Sequence, residues 1–180
     1  MPSIGLSKPA PHPTMEAVPV GSSAVEGPVL DALGARAGLI AFLRHPGCPN
    51  AERTVRRLNR LSVPVVVVLH GEPEHARAWL DAVDASDALR FVFDPDREEY
   101  ARWGLGLTNA WHFLGPAPLL SLIPGLTEGA RNRGATGTRF QRAGTFAVDE
   151  VGVVRWRHMA AHGGDLPDLA AGLSALLARG

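Results

Sequence analysis

Two short runs with no polar side chain, Leu39-Ile40-Ala41-Phe42-Leu43 and Val63 to Leu69, constrain the fold more than any other feature of the chain. A strand with one face in water alternates apolar and polar residues, whereas a strand covered on both faces reads as a continuous apolar run. The valines of the second run suit a strand, and Pro64 sits near its start, where a missing N–H is best tolerated. Between the two runs, Asn50 to Leu61 places Val55, Leu58 and Leu61 on one helical face and Glu52, Arg53, Arg56, Arg57 and Arg60 mainly elsewhere. A strand, an amphipathic helix and a second covered strand imply a right-handed crossover and parallel pairing.

The alternation continues. A helix is predicted over 73–83, a strand over 90–93, and a helix over 97–103 behind the turn Asp94-Pro95-Asp96. Residues 105–143 break the pattern as an irregular insertion holding Trp111, Phe113, Leu114, Leu119, Leu120, Leu122 and Ile123, followed by a glycine- and arginine-rich stretch. Strands near 145–149 and 152–157 form a hairpin around Asp149 to Gly152. Leu166, Leu169, Leu173, Leu176 and Leu177 then recur at helical spacing behind Asp165 as a cap. At the other end, Pro2, Pro9, Pro11 and Pro13 make residues 1–14 a flexible leader, Glu16 to Val20 is a candidate short edge strand, and Pro28 to Arg36 has helical spacing. Residues 15–180 are read as one domain, with strands near 39–44 and 63–69 completing a single sheet.

Composition narrows the function. The 18 basic residues cancel the 18 acidic ones, so no global field draws the chain to nucleic acid or to an anionic membrane. No apolar run approaches the roughly 20 residues that span a bilayer, and the proline-rich start lacks a signal-peptide core. With one cysteine no intramolecular disulfide is possible, which agrees with a cytoplasmic location.

Strand, helix, strand, helix, strand, then hairpin and terminal helix is the order of a thioredoxin-like α/β fold: a central mixed sheet with helices on both faces and an insertion before the C-terminal hairpin. At Phe42-Leu43-Arg44-His45-Pro46-Gly47-Cys48-Pro49 the chain resembles the peroxiredoxin-like AhpC/TSA family, in its selenoprotein-U-like branch, whose members carry such a segment into a Cys-Pro-x-Cys helix start. Later stretches are similar too: Asp94-Pro95-Asp96 through Tyr100 to Gly104-Leu105, and Gly144-Thr145-Phe146 through Asp149, Gly152 and Trp156. The likeness covers roughly residues 39–177 and departs from the family at one important position. The second cysteine would fall at Ala51, so the dithiol is missing. Ordinary peroxiredoxins place a proline and a hydroxyl residue ahead of the reactive cysteine, where this chain has Ala41 and His45.

Cys48 closes a strand and opens a helix, so unsatisfied helix N–H groups face its sulfur. It is expected to be partly accessible, to lie near Thr145, and to titrate below the free value of roughly 8.5. Arg44 and His45 are candidates to add positive potential, and they read equally as a strand-end arginine and a turn histidine. Thr145 and Arg142 are candidates to face the thiol, though the plainer reading of Thr145 is an ordinary strand residue. Cys48 itself has the alternative of a small buried hydrophobe. His158 and His162 lack a third ligand, so no metal is expected, and no organic cofactor is implied. Arg131, Arg133, Arg139 and Arg142 form either a receptor for an anionic substrate or an exposed basic loop.

What the resemblance implies is a monothiol oxidoreductase: Cys48 is oxidised by a peroxide or other small-molecule substrate and restored by an external thiol reductant. The alternative is a thioredoxin-fold protein that has lost dithiol chemistry and uses the 105–143 insertion as a binding module or for a specialised reaction. The apolar residues of that insertion could line a pocket, cover the core or form a homodimer contact.

Overall fold

The computed structural model of the chain describes residues 8–116, 120, 129–135 and 137–178. Five strands form one mixed sheet in the order β3-β2-β1-β4-β5: β1 (Gly38–Phe42), β2 (Val65–Leu69), β3 (Arg90–Phe93), β4 (Gly144–Val148) and β5 (Val154–Met159). The first three run parallel, with Leu39 opposite Val65 and Val66 opposite Arg90. The hairpin joins antiparallel through β4, which sets Thr145 opposite Ala41. The first two strands begin and end slightly differently from the apolar runs; β2 starts after Pro64, whose carbonyl accepts from the Leu39 N–H (3.0 Å).

Because successive side chains of a strand point to opposite faces, each apolar run supplies two cores. Leu39, Ala41, Val65, Val67 and Leu69 face α2 (Pro49–Leu58), α3 (Pro73–Ala82) and the terminal helix α6 (Leu169–Leu177). Ile40, Phe42, Val66 and Val68 face α1 (Pro28–Leu33) and α4 (Glu98–Arg102). Burying each such side chain stabilises the fold by roughly 1.5–3 kcal/mol, so a charge on either run would disrupt a whole layer. On the second face Phe42 meets Tyr100 edge-on, with ring centroids 5.1 Å apart.

Three details differ from the sequence expectations. Glu16 to Val20 forms no strand; instead the chain meets the start of β5 a little later, where Gly21 and Ser22 bond Val154 and Ser23 lies opposite Val153 just before the strand, and Arg157 holds the carbonyls of Ala17 and Val18. The cap of α6 is Asp168, which accepts from the Ala171 N–H at 3.1 Å, while Asp165 accepts from Ala161 at 2.8 Å. The insertion is closed at its neck by the pairing of Leu107 with Gln141, and just beyond the neck lies α5 (Trp111–Leu114). Trp111, Leu114 and Leu120 are exposed; Leu119, Leu122 and Ile123 lie outside the described residues. Among the described residues no helix is long and apolar enough to cross a membrane.

Candidate active site

Cys48 is the N-cap of α2, with extended backbone, and Pro49 follows at the first helical position, where a missing N–H is harmless. Its carbonyl accepts the Glu52 N–H at 3.0 Å. The preceding turn depends on Gly47, whose φ of +87° favours a residue without a side chain. Arg44, one turn back and just after β1, bends over the thiol: Nη2 donates to Sγ at 3.1 Å. The residue is held from behind, since the Arg44 carbonyl accepts from His70 Nε2 and the neighbouring Leu43 carbonyl from the Tyr100 hydroxyl at 2.6 Å.

Contrary to the expectation of partial accessibility, Cys48 is only 1% exposed. The reason lies in the insertion. Its return arm crosses the turn, the Arg133 N–H donates to the Gly47 carbonyl at 2.9 Å, and Ala130 and Ala135 are buried. Arg133 also pairs with Glu52, whose fully buried carboxylate takes Arg56 at 2.6 Å and the Arg131 N–H at 3.3 Å. Two members of the basic stretch therefore latch the arm to α2.

His45 is fully buried and donates from Nδ1 to the Pro46 carbonyl at 2.8 Å. Burial, then Arg44, hold its pKa well below the usual histidine value, so the ring is neutral and contributes no positive charge to the site. The positive potential comes from Arg44 and Arg139; burial and Arg44 lower the pKa of Arg139, while Cys48 acts the other way, so the charges of Arg139, Arg44 and Cys48 act on one another. Thr145 lines a small cavity of about 30 Å³ with Arg44, Asn50, Ala51 and His158, and Cys48 is not among its walls. Arg142 lies at the insertion's neck, its N–H donating to the Gly106 carbonyl at 3.3 Å.

His112, on α5, was not singled out by the sequence, and neither was Gly163. Burial first, then the positive charges of Arg44 and Arg142, lower the His112 pKa to about 4. Gly163 lies against the Arg44 guanidinium, and its carbonyl accepts from Asn50 at 3.0 Å. The only signal in the sequence for either was position in an irregular segment, which carries no periodicity. His158 pairs with Asp165 at 3.5 Å rather than with His162, whose Nδ1 accepts from the Gly164 N–H at 3.2 Å.

A mixed sheet of this order, with one thiol at the first α/β turn under a guanidinium, defines a thioredoxin-fold protein of the peroxiredoxin type. A family model described as AhpC/TSA antioxidant enzyme matches residues 52–162, and the chain belongs to that family, carrying a single cysteine. No curated protein sequence matches it significantly. Similar solved structures include a peroxiredoxin-like protein from Aquifex aeolicus, 12% identical over 91% of this chain and 88% of that chain, with a TM-score of 0.57. A thiol peroxidase from Chromobacterium violaceum is 16% identical over 92% and 89%, with a TM-score of 0.57. A mutant of peroxiredoxin 6 of Arenicola marina is 12% identical over 89% and 72%, with a TM-score of 0.64. At these identities the likeness is one of fold.

Proposed function

We propose that the chain is a monothiol peroxidase in which Cys48 reduces a peroxide and an external thiol restores it. The observation that carries this reading is the contact from Arg44 Nη2 to Sγ at 3.1 Å, made at the N-cap of α2 with Ala51 where a second thiol would stand. A charge-assisted donor and the helix N-terminus place hydrogen-bond donors against the sulfur where it attacks. The thiolate attacks the outer oxygen of ROOH, the S–O bond forms as the O–O bond breaks, and the alkoxide takes up the proton the thiol released. The sulfur loses two electrons to the peroxide and becomes a sulfenic acid.

A thiol R'SH then displaces water to give a mixed disulfide, and a second thiolate attacks the R' sulfur, releasing R'SSR' and the Cys48 thiolate. The chain supplies no second thiol, so both thiols come from outside, as they would in a reducing cytoplasm. Burial of the sulfur fits this reading if the arm over Gly47 opens locally, since elements that admit ligands are drawn from the less stable parts of a fold.

The test is turnover with a small peroxide, with and without glutathione or a small dithiol. Without added thiol, consumption should stop at one peroxide per chain and leave a trappable sulfenic acid on Cys48; with thiol it should continue. Cys48→Ser should abolish both. Wild-type turnover by the serine variant would reject the reading and favour a specialised reaction or binding role for the insertion.

A further inference from the structure

Around Arg44 several buried side-chain nitrogens lack a hydrogen-bond partner. Its Nη2 is committed to Sγ, whereas Nε and Nη1 are buried and have no hydrogen-bond partner among the described residues. Arg142 Nε and His112 Nε2 share that condition, and His112 is 7% exposed. Unsatisfied polar groups of this kind are rare in folded proteins, and several around one arginine suggest a partner that completes them.

The charges around these atoms favour a negative partner. The charged or titratable groups whose field reaches His112 are Arg44 after β1, Arg142 before β4 and His162 after β5. Nearby carboxylates are already engaged: Glu52 by Arg56 and Arg133, Asp165 by His158 and the Ala161 N–H. Leaving buried nitrogens of partly buried cations without a partner is costly, and the cost is removed when a ligand brings an acceptor.

The glycine at 163 is what makes room for the Arg44 guanidinium here. A Cβ on Gly163 would lie 2.4 Å from Arg44 Nη1 and 3.2 Å from the His112 carbonyl. The Gly163 N–H donates to that same carbonyl at 2.6 Å, so the α5 segment and the loop after β5 are joined where the guanidinium passes. Nη1 and Nη2 form one end of the guanidinium fork. A group bound on Nη1 is therefore held beside the sulfur on Nη2.

Building on the reading of Cys48 as a peroxidatic thiol, we propose that Arg142 and His112, with Arg44, form a carboxylate receptor, and that the peroxide this chain reduces carries a carboxylate. The anionic end sits on Arg142 and His112, which leaves Arg44 to bridge sulfur and substrate. A carboxylate offers two oxygens, which suits two donors of this kind. His112 must gain a proton to donate from Nε2, and an adjacent anion favours that protonated form, so binding takes up a proton.

The test uses the full chain with a medium-chain hydroperoxy carboxylic acid and its methyl ester, which differ only in charge. The acid should be reduced with kcat/KM at least about tenfold above the ester, and the ratio should fall toward one in Arg142→Gln and in His112→Gln, chiefly through KM. Equal rates on acid and ester in the wild type would overturn the receptor while leaving the peroxidase intact. If neither is reduced, the redox reading fails and calorimetry decides the receptor alone. The corresponding hydroxy acid should bind with proton uptake, seen as a heat that depends on the buffer, and the uptake should be lost in Arg142→Gln. Absence of binding, or tighter binding of inorganic phosphate, would overturn the carboxylate assignment. If Arg142→Gln does not fold, Arg142→Lys keeps the charge but removes Nε, and an undiminished acid preference in it would also count against the receptor.

Discussion

Substituting Gly47 by alanine isolates the contact that covers the thiol. A Cβ there would lie 2.4 Å from the Gly134 carbonyl oxygen and 2.9 Å from that of Arg133, distances that backbone atoms relieve only by moving. The substitution also meets a backbone penalty, since φ is +87°, and left-handed conformations cost an L-residue about 1–2 kcal/mol. Overpacking adds about 1–3 kcal/mol, giving roughly 2–5 kcal/mol in all. Gly152 provides the control: its φ is +80°, but a Cβ there meets nothing within 4 Å, so Gly152→Ala should show the backbone penalty alone. Urea unfolding of both variants gives the difference, which is the steric part. Because that part is relieved by lifting the 130–135 arm, Gly47→Ala should also speed alkylation of Cys48 under native conditions, and Gly152→Ala should not. Equal destabilisation of the two variants, or unchanged alkylation in Gly47→Ala, would show that the arm does not cover the thiol as described.

Burial lowers the pKa of His70 to about 4 from an ordinary value near 6.5, so the unfolded chain binds its proton first as pH falls. The stability that the neutral ring preserves is complete above pH 6.5 and is lost progressively down to about pH 4, amounting to about 3 kcal/mol, and His70→Gln should flatten that part of a urea-unfolding pH series. Asp149 Oδ1 accepts from Val153 and Val151 at 2.8 and 3.1 Å and Oδ2 from Arg155 at 2.6 Å; Asp149→Ala should cost about 2 kcal/mol in chemical denaturation. These contacts outweigh burial and lower the Asp149 pKa, so its contribution is present above the unfolded value and fades as pH falls through the folded one. Arg44→Gln should slow oxidation of Cys48 by peroxide about tenfold to a hundredfold at pH 7, the kinetic equivalent of one charge-assisted hydrogen bond, measured by stopped flow; an unchanged rate would remove Arg44 from the mechanism.

The sheet was legible because its central strands are buried on both faces and say so in every residue. Leu39 to Phe42 and Val65 to Leu69 are fully buried, and no solvent-facing position interrupts either run. The helix after Cys48 was legible for the complementary reason: its apolar positions recur at helical spacing. Even the first of the site contacts could be anticipated, since Arg44 and Cys48 are four residues apart across a turn whose glycine and prolines limit its path.

The neighbours of that pair were not legible, because sequence distance and periodicity carry no information about where an irregular segment returns. His112 and Gly163 reach Arg44 through loops, and Arg133 and Gly134 reach Gly47 across more than eighty residues of chain. The same limit explains the error over accessibility. A strand-to-helix turn in a sheet of this kind is an edge feature, open unless something crosses it, and here the insertion crosses it. Glu52 shows what the sequence did contain: a carboxylate in the first turn of α2 amid arginines reads as a solvated helix face, yet it is fully buried because Arg133 comes from the insertion to meet it. Removing one partner of such a buried pair is far more disruptive than never having had it. Glu52→Gln should therefore loosen the arm from α2 without altering any group that touches sulfur. Its expected signature is faster alkylation of Cys48 together with unchanged spacing between Arg44 and Sγ in a crystal structure of the variant. Wild-type alkylation in Glu52→Gln would show that the arm is held by the Gly47 contacts alone.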